Sequence, residues 1–471
     1  MDNFDLIVVG SGAGMHVASK ASHDGFKVAL LEHGPIGGTC LNSGCIPSKM
    51  LIYPADVIRT LQDSEAVGVR GRIEDIDFSK IMRRMHSVVD DSRHEMESLI
   101  EADSNMTWYK NTAEFIADHT LKAGDRTLTA PQIVVSSGAR ALIPPVPGLR
   151  EIGYLDNISL LNLEKLPKSL IIIGAGYVGC EYGHFFSSMG TEVTILGRSP
   201  EVLINEDPEI RKLITKAVSK YMNVLTNHEV VRVEKKNGLK QVTARNLIDE
   251  KLIKFEAEEI LVAAGRRANS DLLKLEKTGV EMDSKGWIKT NEYLETTKPG
   301  IWAIGDAIGK HMFRHTANYE AEVVYHNIFG AKKKEGMEKI DFHSVPHAVF
   351  SHPPVAAVGI KEEEAVAAGF KILIGRAKYN EVAKGIAMAI DDSLVKVVAE
   401  EETGRILGCS VVGPFASELV QQIVYLMNTE SQNIIPIIKS QVIHPTISEV
   451  IIKAFDSLEH PFHYHEAELL K

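Results

Sequence analysis

Two cysteines separated by four residues lie in the segment 37–49, which reads GGTCLNSGCIPSK. In a straight helix, Cys40 and Cys45 would lie about 7.5 Å apart along the axis, at a rise of roughly 1.5 Å per residue. A disulfide needs α-carbons within about 4.4–6.8 Å of each other. If these thiols pair, the backbone between them is therefore a distorted loop, and Gly44 is the residue that permits the bend.

Pro47 suits the first turn of a following helix, because its missing N–H has no helical partner there. Cys45 is then predicted at a helix N-terminus, where the dipole favours a thiolate. These residues alone leave four interpretations open: a redox-active pair, two unrelated buried thiols, half of a metal site, or a static crosslink. A second Cys/His pair at ligand spacing is missing for a metal, and a crosslink closing so short a loop stabilises little.

The composition is that of an ordinary globular protein. The 471 residues are 44% hydrophobic and 24% charged, close to the globular average, and the length predicts about three domains. A formal net charge of −11 disfavours nucleic acid and anionic membrane surfaces as partners. The sequence shows no basic leader and no apolar run of membrane-spanning length. Four cysteines are too few for a secreted disulfide scaffold, so we expect a cytoplasmic protein.

A glycine-rich turn near the start predicts a dinucleotide-binding unit. The apolar run at 6–9 ends in three alternating glycines: Gly10, Gly12 and Gly14. A helix-forming stretch and a second apolar run at 27–31 follow, which is the context in which a G-x-G motif binds a dinucleotide. Glu32 ends the second run, where a carboxylate accepts hydrogen bonds from a ribose. Met15 replaces the last motif glycine, so we expect slightly looser packing of helix on strand there.

The same pattern recurs in the middle of the chain. Residues 170–179 align with residues 6–15 at a constant offset and contain every motif glycine: Gly174, Gly176 and Gly179. Two copies predict two dinucleotides. The second strand of this copy ends in Gly197-Arg198 without an acidic residue. An acid there favours NADH and an arginine accommodates the 2′-phosphate of NADPH; an exposed turn arginine is the alternative.

The C-terminal part of the chain, residues 341–471, is predicted to alternate strands with helices, including helices near 362–368 and 416–428. Within it, His444 and Glu449 could form a general acid/base held by a carboxylate, although a histidine before proline is more often structural. The tail contains His460, His463 and His465 beside aromatic residues, for which we prefer a docked aromatic segment to a metal cluster. Earlier in the chain, Pro54 is expected to kink or end the helix that follows the cysteines.

Together these motifs resemble the pyridine nucleotide–disulfide oxidoreductases, the family of glutathione, mycothione and mercuric reductases and of dihydrolipoamide dehydrogenase. The resemblance runs from Phe4 to the His444 segment, and the segment 37–49 is its most specific part. It implies an α/β fold with two Rossmann-like dinucleotide-binding domains and a C-terminal α+β dimerisation domain. The implied boundaries are 1–147 with 268–335 for FAD, 148–267 for NAD(P)H, and 341–471 for dimerisation.

The resemblance also implies an electron path. One non-covalent FAD per subunit would accept hydride from NAD(P)H, with NADPH favoured over NADH, and would pass an electron pair to a Cys40–Cys45 disulfide. Cys45 would be the flavin-side charge-transfer thiolate, and Cys40 the thiol that attacks a small-molecule disulfide. His444, oriented by Glu449, would be the acid/base, contributed by the partner subunit of a homodimer whose active site is shared.

The other implied residues hold the cofactors. Lys49 and Glu181 would form an ion pair beside the flavin N5, Asp306 would contact the ribitol, and Tyr177 would gate the nicotinamide pocket. The implied cofactor-binding set is Gly10, Gly12, Gly14, Glu32, Gly38, Thr39, Lys49, Gly138, Gly305, Asp306, Gly174, Gly176, Gly179, Tyr177, Arg198 and Gly265. No metal site is implied.

The substrate is not specified by these motifs. The missing strand-end acid, Tyr177, and a single histidine before Pro445 favour a low-molecular-weight disulfide of the mycothione or glutathione type. The alternative is a dihydrolipoamide dehydrogenase, alone or as the E3 subunit of a 2-oxoacid dehydrogenase complex, which usually has a second histidine where this chain has Val442. Ile204, in place of a second arginine, and Gly179 stand against NADPH.

Overall fold

The computed structural model describes residues 1–331 and 334–460. The tail segment for which we predicted aromatic docking, with His463 and His465, lies outside these residues. Within the described ranges, no helix is both long and apolar enough to cross a membrane.

A five-stranded parallel sheet forms the centre of the first nucleotide-binding unit. Its strands, in spatial order, are Ile301–Ala303, Gln132–Val135, Leu6–Val9, Val28–Leu31 and Met106–Tyr109. Every residue of Leu6–Val9 and Val28–Leu31 is buried, as expected for a parallel sheet covered on both faces. The strand Ile301–Ala303 follows the second glycine motif in the chain, so the chain returns to complete the first sheet.

Smaller elements complete this unit. A second sheet contains Asp2–Asn3, Arg126–Thr129, Thr120–Ala123 and Ala113–Ala117, and Ala139–Ala141 pairs with Arg266–Ala268. The helices are Gly14–His23, Gly38–Asn42, Cys45–Asp63, Phe78–Ala102 and Arg314–Tyr325. The helix from Cys45 continues through Pro54 without ending there. The proline removes one backbone hydrogen bond, but Leu51 and Ala55 on either side are fully buried in a core shared with two neighbouring helices.

The second unit repeats this arrangement on a smaller scale. Its parallel sheet contains Asn223–Leu225, Glu192–Leu196, Ser169–Ile173 and Glu259–Val262, and an antiparallel sheet adds His228–Lys236, Leu239–Asn246 and Leu252–Ala257. The helices are Leu149–Ile152, Tyr177–Ser188 and Pro208–Val218.

The C-terminal unit is built on a five-stranded antiparallel sheet. Its spatial order is Pro346–Val349, Val355–Gly359, Ile406–Val412, Leu394–Glu400 and Ile372–Ala377. Its helices are Glu362–Ala367, Ala383–Ala387, Ala416–Met427, Ile435–Lys439 and Glu449–Asp456. The buried ammonium of Lys396 joins this sheet to the second unit through Asp207 at 2.9 Å and Glu209 at 2.6 Å. The predicted combination of two nucleotide-binding units with an α+β unit is confirmed.

Candidate active site

The two cysteines lie at the junction of two helices. Cys40 belongs to a helix of 5 residues, and Cys45 begins the next helix, of 19 residues. Gly44 is in the two-residue break between them, and its φ of −133° is not left-handed. A side chain there would place its Cβ 2.9 Å from the carbonyl oxygen of Thr39, so a close approach of the backbone requires this glycine.

The two thiols are chemically different. Both are free, and donating a hydrogen bond to the sulfur of Cys45, together with burial, raises the pKa of Cys40. Accepting that bond lowers the pKa of Cys45 to about 6, with burial opposing the shift and the charge of Lys49 assisting it. The positive charge of Arg314 favours both thiolates. These shifts favour a thiolate at Cys45 over one at Cys40.

Lys49 follows Cys45 by one helical turn and makes a half-buried ion pair. Its Nζ donates to the two carboxylate oxygens of Glu181 at 2.8 and 3.0 Å. The backbone N–H of Phe350 donates to the same carboxylate at 3.0 Å, and the Phe350 ring lies 4.4 Å below the Lys49 ammonium. The structure thus brings the predicted pair together and adds Phe350, from the C-terminal unit, as its support.

Ser11 connects the first glycine turn to the end of the second strand and to the cysteine segment. Its N–H and hydroxyl donate to one oxygen of Glu32 at 3.0 and 2.8 Å, and Gly34 donates to the other oxygen at 2.9 Å. The Ser11 hydroxyl also accepts from the N–H of Gly37 at 2.9 Å. Glu32 is held at the strand end where a ribose contact is predicted, and the oxygen that accepts from Gly34 has a lone pair to spare.

Gly14 provides the close contact between the first helix and the first strand. A Cβ at Gly14 would lie 2.7 Å from Cγ1 of Val8, while the partly buried Met15 packs against the core. The close glycine contact in this helix is therefore at Gly14, one residue before Met15, which is the position that aligns with Gly179.

The region around the first glycine turn and Gly305-Asp306 has the features needed to hold FAD. A Cβ on Gly12 or Gly138 would meet no atom within 4 Å, so the backbone there borders open space. Several buried polar atoms nearby have no partner among the described residues: Ser137 Oγ, Arg266 Nε, Thr316 Oγ1 and Glu320 Oε1. Because buried polar groups are nearly always hydrogen-bonded, these atoms fit a polar cofactor or its bound water.

Two carboxyl groups in this region are strongly desolvated. Glu320 accepts from the N–H of Gly305, and burial raises its pKa to about 7. Burial also raises the pKa of Asp306, against the charge of Arg266 at 3.2 Å. A hydroxyl-rich ligand group such as a ribitol would supply the hydrogen bonds that these carboxyl groups lack.

The second glycine turn is the tighter of the two. A Cβ added to Gly174 would lie 2.2 Å from the carbonyl oxygen of Ala263. A Cβ added to Gly179 would lie 2.1 Å from the carbonyl oxygen of Gly174, whereas Gly176 borders open space. Tyr177 begins the following helix, and its hydroxyl donates to Glu206. This turn has the same open backbone edge as the first, as a second dinucleotide requires.

The end of the second strand carries an exposed arginine. The side chain of Arg198 is 76% exposed, and its Nη1 lies 3.9 Å from Glu229, which also accepts from Arg245 at 2.6 Å. Arg198 is therefore free to turn toward a ligand.

Gly265 follows the unit's last parallel strand. It has a φ of +122°, and its carbonyl accepts from the N–H of Leu142 at 2.9 Å.

His444 is paired as predicted, beside a cleft that the cysteine segment of the same chain does not line. Its Nδ1 lies 2.8 Å from Glu449 Oε1, and the other oxygen of Glu449 accepts from the N–H of Thr446 at 2.9 Å. These contacts hold the pKa of Glu449 below its usual range. The histidine side chain is 71% exposed and borders a cleft of about 320 Å³ lined by nine residues between 381 and 456. No residue of the cysteine segment lines this cleft.

Comparison with known proteins identifies the family. Residues 4–321 match the family described as pyridine nucleotide-disulphide oxidoreductase, and residues 345–455 match its dimerisation domain. The chain belongs to the pyridine nucleotide-disulphide oxidoreductase family. It is a flavoprotein disulfide oxidoreductase of an FAD-dependent family, and its dimerisation domain indicates a homodimer.

Relatives with different substrates are about equally similar. Mycothione reductase of Mycobacterium tuberculosis is 31% identical, with 96% of this chain and 99% of the relative covered. Dihydrolipoyl dehydrogenase of Chlamydia pneumoniae is 31% identical over 98% of each, and mercuric reductase of Lysinibacillus sphaericus is 32% identical over 89% and 76%. The structure of the HOCl-induced flavoprotein disulfide reductase RclA from Escherichia coli, in its Cu(II) complex, has a TM-score of 0.85 at 27% identity over 97% and 99%.

Four residues that contact the site were not predicted from the sequence: Glu206, Arg314, His347 and Phe350. His347 lies in the short strand Pro346–Val349 of the C-terminal sheet, and Phe350 directly follows this strand. Arg314 begins the helix Arg314–Tyr325. No periodicity or spacing marks them, because each acts on a partner far away in the chain.

Proposed function

We propose that this enzyme reduces a low-molecular-weight disulfide, of the mycothione or glutathione type, with electrons from NADPH. The observation that supports this most directly is the cysteine pair at the junction of two helices, where the interaction between the two thiols raises the pKa of Cys40 and lowers that of Cys45. Thiol–disulfide exchange needs one sulfur to attack the substrate and a second to displace it. A static crosslink or a pair of unrelated thiols needs no such division.

In this proposal FAD is held by the first glycine turn, Glu32 and the Gly305-Asp306 turn. When bound, FAD supplies a two-electron carrier between the nicotinamide nucleotide and the cysteine pair. The chain contributes the charge that keeps Cys45 ionised, since the ammonium of Lys49 is fixed by Glu181 and by the ring of Phe350.

The substrate half-reaction follows from the two sulfurs. The Cys40 thiol loses its proton to His444, and its thiolate attacks one sulfur of the substrate disulfide. The substrate S–S bond breaks, a mixed disulfide forms, and His444 returns the proton to the first leaving thiolate. The Cys45 thiolate then attacks the sulfur of Cys40, so the second thiolate leaves, takes a proton from water, and the Cys40–Cys45 disulfide forms. The dithiol has given two electrons to the substrate.

We further propose that His444 reaches Cys40 only from a second copy of the chain. The proposal is supported by its exposure, its pairing with Glu449, and its position in the segment that matches the dimerisation domain. Exposed apolar side chains in the same unit, Tyr425 at 68%, Ile438 at 61% and Ile443 at 77%, suit an interface between copies.

The nicotinamide nucleotide is proposed to be NADPH because Arg198 is exposed at the strand end, where a guanidinium can make charge-assisted hydrogen bonds to a 2′-phosphate. The low-molecular-weight substrate is preferred to dihydrolipoamide because Val442 stands where that group of enzymes usually has a second histidine. The same proposal places the enzyme in the cytoplasm, where thiols are kept reduced.

The test is a panel of disulfides assayed with both nucleotides: mycothiol disulfide, glutathione disulfide, cystine, coenzyme A disulfide and lipoamide. We expect the highest kcat/KM for a low-molecular-weight thiol disulfide with NADPH. Cys40→Ser should abolish turnover while the flavin is still reduced by NADPH. The highest kcat/KM with lipoamide and NADH would overturn the substrate proposal, and full activity of Cys40→Ser would overturn the dithiol mechanism.

A further inference from the structure

The ring of Tyr177 is tied to a buried carboxylate. Tyr177 directly follows the second glycine turn, and its hydroxyl donates to Glu206 Oε1 at 2.8 Å. Glu206 is only 2% exposed. Burial and the carboxylate's charge raise the pKa of Tyr177, so its hydroxyl stays protonated and remains a donor. The side chain at the mouth of the proposed nicotinamide site is thus restrained by a charge-assisted hydrogen bond.

The same carboxylate is held from the C-terminal unit. His347 Nε2 lies 2.8 and 3.0 Å from the two oxygens of Glu206. The His347 ring also stacks on Tyr177, with centroids 5.6 Å apart and planes 13° from parallel. His347 therefore restrains the tyrosine twice, through Glu206 and through the ring.

A third ring closes this cluster. Phe313 lies 6.3 Å from the Tyr177 ring at 21° and 5.7 Å from the His347 ring at 8°. It directly precedes the helix that begins at Arg314. Three near-parallel rings, from the second unit, the C-terminal unit and the first unit, leave no gap between Tyr177 and its neighbours for a further flat ring.

Release of Tyr177 would not leave the Glu206 carboxylate without a hydrogen-bond partner. A cavity of about 30 Å³ lies beside Glu206 and His347, which is room for about one water molecule. His347 would keep its contact with Glu206 when Tyr177 leaves. Glu206 would therefore remain hydrogen-bonded whether or not the Tyr177 hydroxyl is bound to it.

We propose that Glu206 and His347 are positioning residues that latch the Tyr177 ring closed, and that a nicotinamide ring must break this latch to bind. The proposal rests on the proposed function, because it assumes that a nicotinamide nucleotide binds at the turn of residues 174–179. A closed latch weakens binding of the nicotinamide half of the nucleotide and leaves binding of the other half unchanged.

The test compares two ligands that share one half. Calorimetry on the FAD-loaded dimer gives the Kd for NADP⁺ and for 2′-phospho-ADP-ribose, which lacks nicotinamide. Tyr177→Phe keeps the ring and removes the hydroxyl, and His347→Phe keeps the stack and removes Nε2. Glu206→Gln is the conservative variant, because its amide retains an acceptor for Tyr177 and a donor for His347.

For Tyr177→Phe we expect a Kd for NADP⁺ that is about three- to tenfold lower, as for loss of one restraining hydrogen bond, with no change for 2′-phospho-ADP-ribose. Tyr177→Phe combined with His347→Phe should show less than the sum of the two single effects. Glu206→Gln keeps an acceptor for Tyr177 but removes its charge, so its Kd for NADP⁺ should lie between those of the wild type and Tyr177→Phe. Equal shifts for both ligands, or an unchanged Kd for NADP⁺ in Tyr177→Phe, would overturn the latch.

Failure of the proposed function is recognised separately. If neither NADPH nor NADH reduces the flavin of the wild-type enzyme in anaerobic stopped-flow mixing, the proposed function fails. If the wild type is reduced but Tyr177→Phe binds both ligands as the wild type does, only the latch fails. Thermal melting of each variant with FAD bound identifies any that are misfolded.

Discussion

The two glycine turns of this chain start from the same local pattern and are completed differently. Gly10 and Gly174 are equivalent, since a Cβ on either would lie 2.2 Å from a carbonyl oxygen of a neighbouring strand. In the first turn, Ser11 and Glu32 connect the strand end to the cysteine segment. In the second turn, the strand ends in an exposed Arg198, and the helix begins with the restrained Tyr177.

This difference teaches how one unit is adapted to two tasks. The backbone of the first turn borders open space, and buried polar atoms beside it have no partner among the described residues. A permanently bound cofactor requires both features. The second has an exposed charge and a ring that can move, which suit a nucleotide that binds and leaves in every cycle.

The largest effect is expected from filling the two open turns. Gly12→Val and Gly176→Val each add a side chain whose Cβ would meet no atom within 4 Å, so the branch point does not clash within the chain. We expect Gly12→Val to purify without flavin. Gly176→Val should retain FAD, be reduced by dithionite, and show at least a hundredfold loss of reduction by NADPH. Flavin absorbance per protein measures the FAD content of Gly12→Val, and stopped-flow mixing measures the rate of flavin reduction in Gly176→Val. Loss of FAD in both variants would contradict the assignment of one turn to each nucleotide.

Arg198→Glu should make the second strand end resemble the first. Replacing a cation by an anion removes a charge-assisted contact worth about 1.5–3 kcal/mol. We therefore expect the ratio of kcat/KM for NADPH over NADH to fall roughly 10- to 100-fold. Arg232→Glu is the matched control, because Arg232 is similarly exposed on the same unit. A wild-type preference for NADH would show that Arg198 does not select the 2′-phosphate.

The thiolate next to the first turn has a predictable pH dependence. With a pKa of about 6, Cys45 of the reduced enzyme should be alkylated by iodoacetamide faster as the pH rises through about 6, and slower below it. Lys49→Met should move this midpoint to higher pH, because it removes a charge that stabilises the thiolate. Peptide mass spectrometry reads the modified cysteine, and Lys80→Met, at an exposed lysine, is the control. An unshifted midpoint in Lys49→Met would contradict the assigned role.

The smallest effect concerns the glycine that differs between the turns. Gly14→Ala places a Cβ 2.7 Å from Val8, and overpacking of this kind costs about 1–3 kcal/mol of unfolding free energy. Met15→Ala should cost less, because its side chain is only partly buried. Urea unfolding of the apoprotein measures both. A larger loss of unfolding free energy for Met15→Ala than for Gly14→Ala would show that the close contact is at Met15, the position aligned with Gly179.

Much of the fold could be predicted from local patterns. The strands at 6–9 and 28–31, the repeated glycine turns and the helix after the cysteines are visible because their signals span few residues. Of the two outcomes expected at Pro54, a kink or an end of the helix, the end does not occur, because burial of Leu51 and Ala55 outweighs one lost backbone hydrogen bond. The contact at Gly14 was not predicted because the two repeats make their close glycine contact at different positions. The first repeat makes it at Gly14, and the second makes it one aligned position later, at Gly179.

The sequence by itself determined which groups are present and their local setting: two cysteines across a helix start, two glycine turns, and a strand end that is acidic in one copy and basic in the other. Only the tertiary structure decided which distant groups act on them. Phe350 reaches Glu181, and His347 reaches Glu206, across more than a hundred residues. The physical reason is that turns and helix termini depend on neighbours in the chain, whereas thiol ionisation and ring restraint depend on charges and contacts that only folding brings together.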